Sequence, residues 1–180
     1  MKSVLLAVFT LIVHFGLVYV GAAYAKSVDN NPLPLLSLND GLAEYSKVYD
    51  EQRDPFSDAN AALALAKKTN RNVLIEIGGN WCTWCHKMDA FLLKNPSVYK
   101  ALHSQYVLLK INVSDANEND AFMKALPPVQ GYPHMYISTA SGKMLLSKDT
   151  AELQDNSGYS KEFWLTFLNQ WQSKATLSKL

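Results

Sequence analysis

Hydrophobic and polar positions along this chain change between two periods. "RNVLIEI" (71–77) and "YVLLKINV" (106–113) are β-rich apolar runs and predict strands. "PHMYIS" (133–138) and "KMLLS" (143–147) predict two more, joined by the hairpin signal Thr139-Ala140-Ser141-Gly142. Helical spacing fills the intervals. The alanine-rich stretch 59–70, behind Ser57 or Asp58 as a cap, predicts one helix. From Cys82 onward, Trp84, Met88, Phe91 and Leu92 recur at i, i+4, i+7 and i+8, so a helix begins at the cysteine. Asn95-Pro96 stops or kinks it, and a second piece runs to about Ser104. A short helix over 117–126 closes at Pro127-Pro128. A final helix, capped near Ser160, carries Phe163, Trp164, Phe167, Leu168 and Trp171 on one face. Upstream, 41–50 predicts a short helix with Leu42, Tyr45, Val48 and Tyr49 on one side, broken by Asp54-Pro55.

The predicted order is α, β, α, β, α, β, β, α. Strands separated by helices imply a parallel portion and the late hairpin adds antiparallel strands, so the fold class is α/β with a central mixed sheet flanked by helices. The polar loop 148–159 interrupts this scheme before the last helix.

The first 25 residues do not belong to that globule. Lys2 is followed by an apolar stretch from Val4 to Val20, and Ala23-Tyr24-Ala25 is a small-x-small cleavage pattern. The expectation is a signal peptide over 1–25, an N-terminal extension over 26–56 with "NNPLPLLSLND" as an irregular lead-in, and the main domain over 57–175. The apolar stretch approaches bilayer-spanning length, so an uncleaved N-terminal anchor is the alternative. Either way the protein is expected to be exported, to the periplasm or as a secreted protein. The terminal Ser178-Lys179-Leu180 matches a peroxisomal address, which an export signal contradicts. A net charge of +1 on 180 residues offers nothing to a polyanion, so nucleic acid is not an expected partner.

Only two cysteines are present, in "GGNWCTWCHKMDA" (78–90). Cys82-Thr83-Trp84-Cys85 has the spacing of a dithiol that cycles with a disulfide. With His86 it becomes C-x-x-C-H, the attachment pattern of a c-type haem. The strands favour the dithiol, because a small cytochrome is mostly helical; the haem reading stands as the alternative. A bridge this short closes a tiny loop and adds little as a staple, so it is expected to react rather than to stabilise. Cys82 falls at the exposed N-terminus of a helix, whose unpaired N–H groups favour a thiolate, and is the expected nucleophile. Cys85, one turn in, is the resolving sulfur. Glu76 interrupts an apolar strand, and a carboxyl buried there would have a raised pKa suited to proton transfer with Cys85. No metal and no other cofactor is assigned: adjacent Cys85 and His86 diverge on a helix, so with Cys82 and His134 they close a tetrahedron awkwardly.

The turn Trp81-Cys82-Thr83-Trp84-Cys85 after the first main strand, Glu76 six residues before it, Gly131-Tyr132-Pro133, and the closing hairpin and helix together resemble the thioredoxin-like superfamily. The match runs over about 57–171, and the site is most similar to those of secreted thioredoxin-like proteins with a "WCxWCHKM" pattern. The Thr-Trp dipeptide, the Glu in place of the commoner Asp and the bulk of Tyr132 depart from cytosolic thioredoxin. The resemblance implies a cis bond before Pro133, and substrate contacts from Trp81, Tyr132 and Pro133. It also implies a thiol–disulfide oxidoreductase that reduces, forms or isomerises disulfides in substrate proteins. A membrane thiol reductase or oxidase would reset its cysteine pair.

Overall fold

The computed structural model describes residues 41–174; the expected signal peptide, the lead-in and the end of the chain lie outside them. Helix α1 spans Pro55–Thr69, followed by strand β1 at Asn72–Gly78 and helix α2 at Thr83–Lys94. Next come α3 (Pro96–Gln105), β2 (Tyr106–Asn112), the short α4 (Asp120–Met123), and the hairpin of β3 (His134–Ser138) and β4 (Met144–Asp149). A 3-10 turn at Thr150–Leu153, the two-residue strands β5 (Gln154–Asp155) and β6 (Gly158–Tyr159), and helix α5 (Lys161–Trp171) complete it.

The four main strands form one sheet in the order β2-β1-β3-β4. β1 runs parallel to β2 and antiparallel to β3, so the sheet is mixed as the element order predicts. The α2–α3 crossover returns the chain to the far side of β1. The whole of β1, β2 and β3 is buried, because helices cover both faces. On one face Leu74, Leu108 and Ile137 pack with Met88 and Leu92 of α2, Leu102 of α3, and Trp164 and Leu168 of α5. On the other, Ile75, Ile77, Leu109 and Tyr136 pack with Ala62 and Ala66 of α1. Each large apolar side chain buried this way contributes about 1.5–3 kcal/mol.

Several local expectations are corrected. Helix α1 starts earlier than the alanine run, with Asp54 as its cap: the side chain accepts a hydrogen bond from Phe56 N–H, and Pro55 occupies the first turn. The same Asp-Pro pair that reads as a breaker is a helix start, since proline's missing N–H costs nothing there. Asp58, expected as a cap, instead pairs with Arg53. The helix expected over 41–50 shrinks to a 3-10 turn at Glu44–Ser46, and that over 117–126 to α4. Asn119 in the left-handed region delays the start of α4. The supposed loop 148–159 is mostly ordered structure, and Phe163 is 43% exposed despite its place on the apolar stripe of α5.

Candidate active site

The cysteines sit where β1 hands over to α2. Cys82 is the N-cap and its sulfur accepts the backbone N–H of Cys85 at 3.1 Å, so the first sulfur holds one of the helix's orphan donors. Cys82 and Cys85 are joined by a disulfide with their Cα atoms 5.2 Å apart. Both sulfurs are thus joined to each other, the oxidised state of a dithiol pair. The His86 ring meanwhile engages the Asn80 carbonyl at 2.8 Å.

Cys82 does not lie at an open end. It is 3% exposed, in a cluster with Cys85 and Tyr49, with Tyr132 packed on it. The peptide bond Tyr132–Pro133 is cis, as the resemblance implies. Trp81 is half exposed; its indole N–H donates to the Val113 carbonyl at 2.6 Å and its ring meets Tyr132 edge to face, 5.2 Å between centroids. Both aromatics line an open groove of about 930 Å3, together with the apolar Met123, Pro127 and Val129. Trp84 is partly exposed, edge-on to Tyr159 and capped by the Lys87 ammonium 4.0 Å from its ring centroid, so it is not core.

Glu76 is fully buried on β1. The Tyr49 hydroxyl donates to it, and the Lys110 ammonium, beside it on β2, is 3.8 Å away. Lys110 in turn donates to Asp89 of α2 at 2.6 Å, and Asp89 is the partly exposed end of the chain of groups. Burial raises Glu76 from the ordinary carboxylate range to about 7; Lys110 and the Tyr49 hydroxyl only partly offset it. Lys110 is pulled down by burial, but the Glu76 and Asp89 carboxylates outweigh that and hold it above its usual value.

Cys82, Cys85, Glu76, Trp81, Tyr132 and Pro133, the six residues expected at the site, all come to one end of the sheet. Lys110, Asp89 and Tyr49 join them without having been expected there. A lysine within an otherwise apolar strand was the available signal for Lys110, since a buried ammonium requires a partner. Tyr49 gave no local signal.

Comparisons with known proteins agree with this architecture. A family described as thioredoxin-like matches residues 54–140. The chain is 24% identical over 117 residues to the thiol:disulfide interchange protein DsbD of Klebsiella pneumoniae, and 32% identical over 107 residues to a protein disulfide-isomerase of Medicago sativa. These alignments cover 65% and 59% of this chain but only 19% and 18% of the relatives, so it spans less than a fifth of their length. The solved disulphide isomerase from Xylella fastidiosa Temecula1 superposes with a TM-score of 0.59 at 27% identity, covering 68% of this chain and 94% of that one. With strand order, cysteine turn and superposition in agreement, the chain has a thioredoxin-like fold, and its residues 54–140 are similar to the thioredoxin-like family.

Proposed function

We propose that the protein is an exported thiol–disulfide oxidoreductase acting on disulfides or thiols of substrate proteins. The observation that carries this reading is the Cys82–Cys85 bond at the N-terminus of α2, with the Cys85 N–H directed at the Cys82 sulfur. When the pair is reduced, that donor and the helix dipole favour a Cys82 thiolate, the form that attacks disulfides. Cys82 attacks a substrate sulfur and forms a mixed disulfide. Cys85 then attacks Cys82, closes the internal bond and releases the substrate as a thiol. Run in reverse, the same steps donate the disulfide to a substrate dithiol. Glu76 accepts or returns the Cys85 proton, for which a pKa of about 7 is well matched at neutral pH.

Trp81, Tyr132 and Pro133 form the substrate contact surface. Tyr132 touches the cysteine cluster on one side and lines the groove on the other, so a segment lying in the groove reaches the reacting sulfur past it. A membrane thiol reductase or oxidase resets the pair after each turnover. The names of the DsbD and disulfide-isomerase relatives support the reaction class, and the pattern of residues 1–25 supports export.

Replacing Cys85 with Ser removes the resolving sulfur and leaves the attacking one. The variant is expected to accumulate mixed disulfides with exported proteins, read on non-reducing gels and released by dithiothreitol. A Cys85→Ser chain that captures nothing through Cys82 contradicts the mechanism.

A further inference from the structure

We propose that Tyr49, from the segment ahead of the domain, is a further catalytic residue that hands protons between Cys85 and Glu76. This rests on the oxidoreductase reading above and adds a group that the cysteine motif does not contain. Tyr49 is 4% exposed and belongs to the same buried cluster as the two cysteines. Its hydroxyl donates to Glu76. On its other side the hydroxyl shares the space over Gly78 with the Cys85 sulfur: a Cβ at Gly78 would stand 2.7 Å from Tyr49 Oη and 2.6 Å from Cys85 Sγ. Glycine at 78 is what lets the phenol come up beneath the sulfur.

The placement is held from several directions. The Asn80 side-chain amide, within the cysteine turn, donates to the Tyr49 carbonyl at 3.1 Å, and Asn117 does the same for the Glu51 carbonyl at 2.9 Å. Ser46 anchors the preceding turn on the Leu108 carbonyl at 2.5 Å. The Lys110 ammonium lies 4.9 Å from the Tyr49 ring centroid. A tyrosine hydroxyl has one proton to give and lone pairs to accept with. Here the proton goes to Glu76, which leaves a lone pair for a Cys85 S–H.

In the resolving step the Cys85 thiol passes its proton to Tyr49 Oη as Tyr49 passes its own to Glu76. The Cys85 sulfur bonds to Cys82, the bond from Cys82 to the substrate sulfur breaks, and the electron pair leaves on the substrate thiolate, which is protonated from solvent. The dithiol is oxidised, the substrate disulfide reduced, and Glu76 holds the proton. When a partner dithiol next reduces the pair, Cys85 leaves as a thiolate and recovers that proton by the same route. Burial, and after it the Glu76 charge, keeps the phenol protonated throughout, so the transfer is concerted. The other charged or titratable groups facing this pair are Lys110 from β2, Asp89 from α2 and Tyr159 from β6.

The test uses the full chain, reduced, mixed with one equivalent of 5,5′-dithiobis(2-nitrobenzoate). Release of the first thionitrobenzoate reports attack by Cys82, and release of the second reports resolution by Cys85. In Tyr49→Phe the first phase is expected to stay unchanged while the second slows about 100-fold at pH 7, the low end for a positioned proton-transfer group. The rise of the second phase through pH about 7, set by Glu76, is expected to disappear with it. Tyr49→Phe combined with Glu76→Gln is expected to be no slower than the slower single variant, because one route is lost only once. A second phase slowed less than about tenfold, short of that range, or slowing that multiplies in the double variant, overturns the role of Tyr49. A wild-type chain with no first phase overturns the oxidoreductase reading instead.

Discussion

Cys82→Ser is expected to abolish catalysed disulfide exchange, leaving reduction of a test protein such as insulin at the uncatalysed rate. Cys82 caps α2, and its sulfur is the acceptor of the Cys85 N–H at 3.1 Å. A serine hydroxyl accepts the same hydrogen bond, so the helix start survives and the fold is expected to be retained. What is lost is the sulfur whose thiolate attacks a disulfide. The short bridge adds little stability of its own, because its loop is tiny, so loss of activity is not explained by unfolding. Measured turnover with a matched thermal melt checks both halves. Residual turnover above background in Cys82→Ser, with Cys85 as the one remaining cysteine, would transfer the nucleophile's role to Cys85.

Lys110→Met is expected to be the most destabilising of the substitutions considered, and to be so in a pH-dependent way. The Lys110 side chain is 3% exposed and is the cation nearest Glu76. Removing one partner of a buried charge pair costs about 3–5 kcal/mol when the other stays ionised. Glu76 escapes part of that cost by taking up a proton. Its pKa is raised from 4.5 when unfolded to about 7 when folded, so between those values the native state holds a proton the unfolded state has released. Its contribution to stability is therefore full below about pH 4.5 and is lost as pH rises through 7. Without the Lys110 charge, which pulls Glu76 down, the window extends further upward. Lys110→Met is accordingly mild at pH 5 and severe at pH 8 in chemical denaturation. Lys110 itself stays charged across that range, so the slope belongs to Glu76. Adding Glu76→Gln should remove the slope and recover much of the lost stability. An equal loss at pH 5 and pH 8 would show that Glu76 protonation is not its source.

The sequence displayed the sheet and the cysteine turn because both are local patterns. "RNVLIEI" and "PHMYIS" announce strands by composition, and Gly78-Gly79 followed by a helical period from Cys82 marks a strand-to-helix turn. The groups beneath the disulfide were harder to see. Strands β1 and β2 are buried on both faces, so no alternation reveals that Glu76 and Lys110 share one of them. Asp89 lies off the apolar stripe of α2 and is partly exposed, yet its carboxylate reaches back to Lys110. Tyr49 lay in a predicted helix that shortens to a 3-10 turn, and only the tertiary fold carries its hydroxyl to Glu76. Asp54-Pro55 shows the converse: the same dipeptide can end one helix or begin another, and the helical run from Phe56 onward decides for the start.

In this mechanism Cys82 and Cys85 exchange electrons themselves. The most direct measurement is an absorbance scan of the purified protein followed by titration of the pair in glutathione redox buffers. The expected result is a protein without a visible chromophore and a reversible two-electron midpoint within the range of related dithiol sites, about −270 to −120 mV. A Soret band on a covalently attached chromophore, or a bridge that stays closed at potentials below about −300 mV as structural disulfides do, would contradict it.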